Sequence, residues 1–295
     1  HPFALLVLMR SMFNWRNIPK MLELKALLLA ALEEHPELPA EERGNLLGEC
    51  DLIMSFLCYN DISAMSRLHR SASAQMSRPA VSIRSSGGWT FGSPSVLMMF
   101  YRAPGELESE LAEMDECMPH YYKITGNHGQ GAETIMHAEA AFMQGRFTDA
   151  HIALERAYAQ IEGNGQENMA LCCDFLARRL SLFTDIGQRA RFEKRREQLL
   201  AHHNVSWLNL WNAAAAYHHA LLGSTDSIPE AYRRHRLFTV RTLAPGKPMI
   251  EMIENQVYLA QGEYAHVIGR SEGLLAQCEA MHYALVALHI RIQTA

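Results

Sequence analysis

Apolar and small residues along the chain fall into a spaced frame that recurs. Counting from Gly145, the places +2, +5, +9 and +12 hold Phe147, Ala150, Leu154 and Ala157; counting from Gly262, they hold Tyr264, Val267, Ser271 and Leu274. Each glycine follows a stretch with helical periodicity, residues 132–144 and 250–261. Positions +5, +9 and +12 return to one face of a helix, so the frame predicts a helical hairpin. The glycine closes the first helix in the left-handed conformation, the aromatic at +2 plugs the turn, and small residues sit where the second helix crosses the first.

The same frame fits elsewhere more loosely. Asn17 leads Pro19, Leu22, Ala26 and Leu29, and Asn60 leads Ile62, Met65, His69 and Ala72, asparagine being the next best left-handed residue. Gly187 leads Phe192 and Leu199 with Arg189 in the aromatic place; the frame blurs at Gly105, and residues 224–228 stretch it after Gly223. These seven turns recur on average about every 41 residues. Hairpins too small to bury a core alone stack into a solenoid. The expectation is therefore one elongated all-α domain over residues 1–295, with seven hairpins and residues 277–295 as the unpaired first helix of an eighth. Two segments interrupt the rhythm: 77–93, rich in Ser and Gly and carrying Arg84, Trp89 and Phe91, reads as an irregular insertion, and 125–131 as a glycine-rich joint. Between them Leu107, Leu111, Met114 and Met118 face inward on a helix whose Glu106, Glu110 and Glu113 face water.

Composition agrees with helices. Among 295 residues there are sixteen methionines but only eight valines, few for a protein with a substantial sheet. The formal charge of -5 argues against direct nucleic-acid binding by this chain. No apolar run reaches the roughly 18 residues of a membrane span, and Phe3 to Met9 lacks the flanks of a signal peptide. Six cysteines without a CxxC pair read as reduced thiols of a cytoplasmic protein. The start at His1-Pro2 reads as a piece of a longer protein.

The Gly-x-aromatic-x-x-Ala pattern resembles a tetratricopeptide repeat, with a period longer than the usual ~34 residues. Within residues 92–158, Gly-Ser-Pro-Ser, Pro-Gly-Glu-Leu, Met-Pro-His-Tyr-Tyr, Thr-Gly-Asn-His-Gly and then Ala-Glu-Ala before Gly145 and Phe147 resemble the sensor region of the large ATP-dependent LuxR-type transcriptional regulators related to the maltose-regulon activator. The resemblance implies a right-handed superhelix that binds a small-molecule inducer such as a sugar, self-associates, and relays the signal to an ATPase module and a helix-turn-helix. Neither module is here: Gly246-Lys247-Pro248 is no phosphate loop, and no helix-turn-helix is recognisable.

The fifteen histidines, including His202-His203 and His218-His219, lack metal-ligand spacing. The pair Cys172-Cys173 and the cysteines Cys50 and Cys58 read as packed thiols. No enzyme activity, metal or cofactor is expected. The basic runs 178–196 and 233–241 read as solvated helix faces laced with acids. An inducer pocket needs aromatic walls and a few fixed polar groups, and Trp89, Tyr101, Arg102, Tyr121, Tyr122, His128, Glu133 and His137, with Phe91, concentrate both within fifty residues. The other reading is a scaffold that holds a peptide or partner protein in its concave groove.

Overall fold

The computed structural model describes residues 1–84, 87–162, 164–184, 188–236 and 244–295, with the backbone alone at Asn14. Among them 73% are helical and none lies in a strand. The α-helices are α1 (Pro2–Asn14), α2 (Ile18–Glu34), α3 (Ala40–Ser55), α4 (Ile62–Gln75), α5 (Val96–Phe100), α6 (Leu107–Thr125), α7 (Ala132–Met143), α8 (Phe147–Ile161), α9 (Glu167–Leu180), α10 (Arg189–Ala201), α11 (Val205–Leu221), α12 (Glu230–Arg233), α13 (Lys247–Ala260), α14 (Tyr264–Ala280) and α15 (Ala284–Thr294). No helix among the described residues is long and apolar enough to cross a membrane.

Many of the joints share one pattern. A residue in the left-handed region precedes the helix start by two at Arg16, Gly105, Gly145, Gly165, His203, Gly262 and His282, and by three at Tyr59. Gly145 and Gly262, at φ +75° and +76°, sit where the frame put them. The asparagines do not take that role. Arg16 and Tyr59 adopt positive φ instead, while the Asn17 side chain caps α2 by accepting from the Lys20 amide at 3.2 Å. A cap requires extended or near-extended backbone, so an asparagine that caps is withheld from the left-handed turn. The Phe147 ring stacks on Phe183 at 5.0 Å, whereas Tyr264 is 61% exposed and plugs nothing. Gly187 lies outside the described residues. The last helix begins at Ala284, because His282 breaks the chain after Ala280.

The chain divides into two compact units, residues 1–87 with 109–128 and residues 88–108 with 129–295. It passes from the first to the second after Gly87, returns after Glu108, and leaves again after His128.

In the first unit, α1 packs on α2, α3 on α4 and α1 on α3. Leu6, Met9, Met21, Leu28, Leu46 and Ile53 form its core. Helix α6 turns Leu111, Met114 and Met118 inward, as its pattern predicts, and Arg70 of α4 holds Glu113 at 2.9 Å and also Glu116. Leaving α4, the chain is fastened by buried side chains: Asn45 accepts from the Ser77 amide at 2.9 Å, and Glu49 from the Val81 and Ser82 amides at 2.9 and 2.6 Å.

In the second unit, α7 packs on α9, α9 on α11, α11 on α13 and α13 on α15, with α8, α10 and α14 packed on their sequence neighbours. Small residues permit these close crossings: Ala138, Ala140 and Ala141 on α7 and Ala213 to Ala216 on α11 are all buried. Every residue of α9 from Asn168 to Leu180 is buried, so this helix is enclosed on all sides. Helix α5 touches both α7 and α15 and is buried throughout.

Candidate functional site

The eight residues expected to line an inducer pocket separate by unit. Tyr121, Tyr122 and His128 belong to the first; Trp89, Tyr101, Arg102, Glu133 and His137 belong to the second.

In the first unit Tyr121 is 2% exposed and His128 5%. The Tyr121 hydroxyl donates to His128 Nδ1 at 2.7 Å, because Nε2–H donates to the Gly87 carbonyl at 3.2 Å and so leaves Nδ1 as the acceptor. Burial pushes the His128 pKa down to about 4. The Tyr121 ring also lies 4.9 Å from the His69 ring, centroid to centroid, and His69 is held by Ser55 Oγ at 2.9 Å and Cys117 Sγ at 3.2 Å. Burial takes its pKa to about 3, assisted by His120. Both imidazoles are therefore neutral at physiological pH. Tyr122 is half-buried.

In the second unit residues 88–100 are held by their backbone. Asn168 Oδ1 accepts from the Trp89 and Thr90 amides at 2.7 and 3.1 Å, and Glu139 accepts from the Leu97 amide at 2.8 Å at the start of α5. The Trp89 ring lies against Phe100 at 5.4 Å, with Gly129 so close that a Cβ there would fall 2.3 Å from the indole. Gly246 likewise gives room to the backbone of Phe91 and Gly92. Tyr101 accepts from the Gly105 amide at 3.3 Å. Arg102, and Glu133 and His137 on α7, are half-buried.

Glu139 is fully buried, and that burial raises its carboxyl pKa against the pull of the amides it binds. Above about pH 4.5 the unfolded chain ionises while the folded one keeps its proton, so stability falls as pH rises, by about 1.4 kcal/mol per unit until the raised pKa is reached. Glu139→Gln keeps an acceptor for Leu97 and removes the titration. Urea midpoints at pH 5 and pH 8 are expected to move in the variant's favour at the higher pH; an unchanged difference would mean that Glu139 is ionised in the folded protein.

Two concavities open in the second unit. A cleft of about 590 Å³ is formed by α8, α9 and α10, lined by Tyr158, Gln166, Glu167, Arg191, Lys194 and Gln198 among others. On its floor the Tyr158 hydroxyl donates to Asp174 Oδ1 at 2.7 Å and Arg195 pairs with the other carboxylate oxygen. Burial raises the Asp174 pKa, and Arg195 works against it. Arg191 lies 4.0 Å over the Tyr158 ring and bonds Glu155 at 3.1 and 3.2 Å. Lys194 is exposed on the rim. A second groove of about 530 Å³, lined by Phe142, Phe183, Tyr217, Leu222 and His289, is mostly apolar.

Much of the basic run 178–196 is thus internal and not a solvated face. Arg178 is 6% exposed and lies over Phe192 at 4.2 Å and Trp211 at 4.8 Å; Arg179 lies over Phe142 at 4.6 Å. Of the run 233–241, residues 237–241 lie outside the described residues. All six cysteines are free, and five are buried with their thiols pushed up by desolvation. Among the described residues no group of three or more His, Cys, Asp or Glu side chains is placed to hold a metal. Nothing in the sequence marked the cleft, because its walls come from three helices and its charges are matched across them.

No family model, curated protein or solved structure matches the chain.

Proposed function

We propose that the chain is a non-catalytic helical-repeat module that senses a small-molecule effector and assembles, as in the LuxR-type regulators it resembles. The observation that carries this reading is the order of packing in the second unit. Alternate helices α7, α9, α11, α13 and α15 each lie on the next, with α8, α10 and α14 behind them; stacked tetratricopeptide-like hairpins in a right-handed superhelix pack in that order. The cleft of α8 to α10 is the effector site in this reading. It is large enough for a sugar or metabolite and is lined by charged and amide side chains, Arg191, Lys194, Gln166 and Gln198 among them. The effector shifts a population by binding one arrangement of the hairpins better than another.

The reading frame around this sequence is expected to encode a phosphate loop and a helix-turn-helix; a complete gene lacking both would overturn the regulator assignment. A thermal-shift screen with sugars and small metabolites is expected to find one that raises Tm by several degrees at about 100 Kd, equivalent to about 2.7 kcal/mol. Lys194→Glu and Gln198→Ala, both on exposed positions of the cleft, are expected to reduce that shift without loss of helix. An undiminished shift in both removes the effector from the cleft. Trp89→Ala is less suited to the purpose, since it empties a buried site at a cost of about 3 kcal/mol.

A specific feature also favours the peptide-scaffold reading. Asn168 of α9 and Glu139 of α7 hold the segment from Trp89 to Leu97 by its backbone amides. A response to unstructured peptides and to no small molecule would select that reading.

A further inference from the structure

The first unit contains a cation without a counter-charge. Arg10 projects from α1 with its guanidinium carbon 4.3 Å from the centre of the Phe56 ring and 5.3 Å from that of Phe13. Its Nη1 is buried and has no hydrogen-bond partner, and among the described residues no carboxylate forms an ion pair with it. The remaining arginines of this unit that face inward are treated differently. Arg43 donates to the Leu32 and His35 carbonyls at 2.7 and 2.8 Å, and Arg70 and Arg78 hold glutamates.

An arginine cannot relieve this situation by losing its proton at neutral pH. Aromatic faces offset only part of the desolvation penalty of a buried ion. The Tyr121 and His128 pair lies within reach of the Arg10 field, and both are neutral. Neither supplies an anion: the Tyr121 proton is committed to His128, and His128 carries no negative charge in any state.

We propose that Arg10 is the anchor of an oxyanion site, taking the carboxylate or phosphate of a small ligand on its guanidinium beside the Phe13 and Phe56 rings. The planar guanidinium matches both oxyanions through two parallel hydrogen bonds, and the aromatic walls strengthen these bonds by excluding water. This site is independent of the cleft in the second unit and of the regulator assignment, because it stands on residues of the first unit alone.

The test measures Tm of the whole chain against sodium acetate and sodium phosphate, each matched in ionic strength by sodium chloride. Phosphate stabilises many proteins by exclusion from their surface, so Arg10→Met is the reference. The wild-type chain is expected to gain Tm saturably with one or both oxyanions and not with chloride. Arg10→Met, which keeps the apolar stem, is expected to lose the saturable part and leave only a linear salt effect. Arg10→Lys keeps the charge but not the fork, and is expected to bind about tenfold or more weaker, the loss of one charged hydrogen bond. If Arg10→Met does not fold, the Arg10→Lys titration decides alone. Acetate alone saturating identifies a carboxylate ligand, and phosphate alone a phosphate ligand. No saturable gain in the wild-type chain, or an equal gain in the Met or Lys variant, overturns the site.

Discussion

Acidification from pH 7.5 to 5 is expected to destabilise the first unit by about 4 kcal/mol, through two histidines that fold neutral. His69 and His128 have folded pKa values of about 3 and about 4, set by burial. Unfolded, each takes up a proton as pH falls through ~6.5. The contribution is therefore fully present above that pH and is lost progressively below it, by about 2 kcal/mol per histidine at pH 5. Protonation in the folded state is resisted on every side: His128 Nδ1 is the acceptor for Tyr121 with Arg10 nearby, and His69 lies beside His120 and between Ser55 and Cys117. The second unit has an opposing contribution. His289, at about 4, also favours the neutral form, but Glu139 and Asp174 have raised pKa values and gain as pH falls. Hydrogen exchange at pH 7.5 and 5, corrected for intrinsic rates, is expected to show α3, α4 and α6 losing protection before α9. No loss would mean that the imidazoles are charged when folded, and uniform loss that the two units unfold together.

Asp174→Ala is expected to cost about 3–5 kcal/mol, the largest effect of any single substitution on the cleft. It leaves the Arg195 guanidinium unpaired on the cleft floor and the buried Tyr158 hydroxyl without its acceptor. Arg195→Met in the same chain removes the stranded cation, so the double variant is expected to recover a substantial part of the loss. A double-mutant cycle by urea denaturation isolates the coupling. A single variant within about 1 kcal/mol of the parent would mean that the pair contributes little to the fold.

The hairpin joints are legible at Gly145 and Gly262, where glycine and the spaced frame coincide, but not at Gly165, which takes the same place before α9 outside the frame. The left-handed residue falls one place before Asn17 and Asn60: Asn17 caps α2, and Asp61 caps α4. His203 and His282 take positive φ at exposed joints that the glycine and asparagine frame does not mark, histidine being one of the residues enriched there. The all-α class was readable from composition and spacing alone. The charged cluster was not. Arg178 and Arg195 look solvated in a run of Arg, Lys and Glu, and become internal only because Trp211 and Asp174 meet them from other helices. Tyr121 and His128, seven residues apart, were singled out for their chemistry and prove to be bonded to each other. Nothing in the sequence distinguishes Arg10, whose mark is a buried Nη1 without a hydrogen-bond partner.

The three passages of the chain between its units impose an order on its making. Residues 88–100 are synthesised long before the helices that enclose them, and Ser93 meets Met249 across a separation of 156 residues. At ~5–20 residues per second that partner emerges roughly 8–30 s later. Trp89, Phe91 and the all-apolar Val96–Phe100 turn must wait through that interval without their enclosure. A nascent chain stalled before residue 250 therefore presents to chaperones the same aromatic stretch that the finished protein hides.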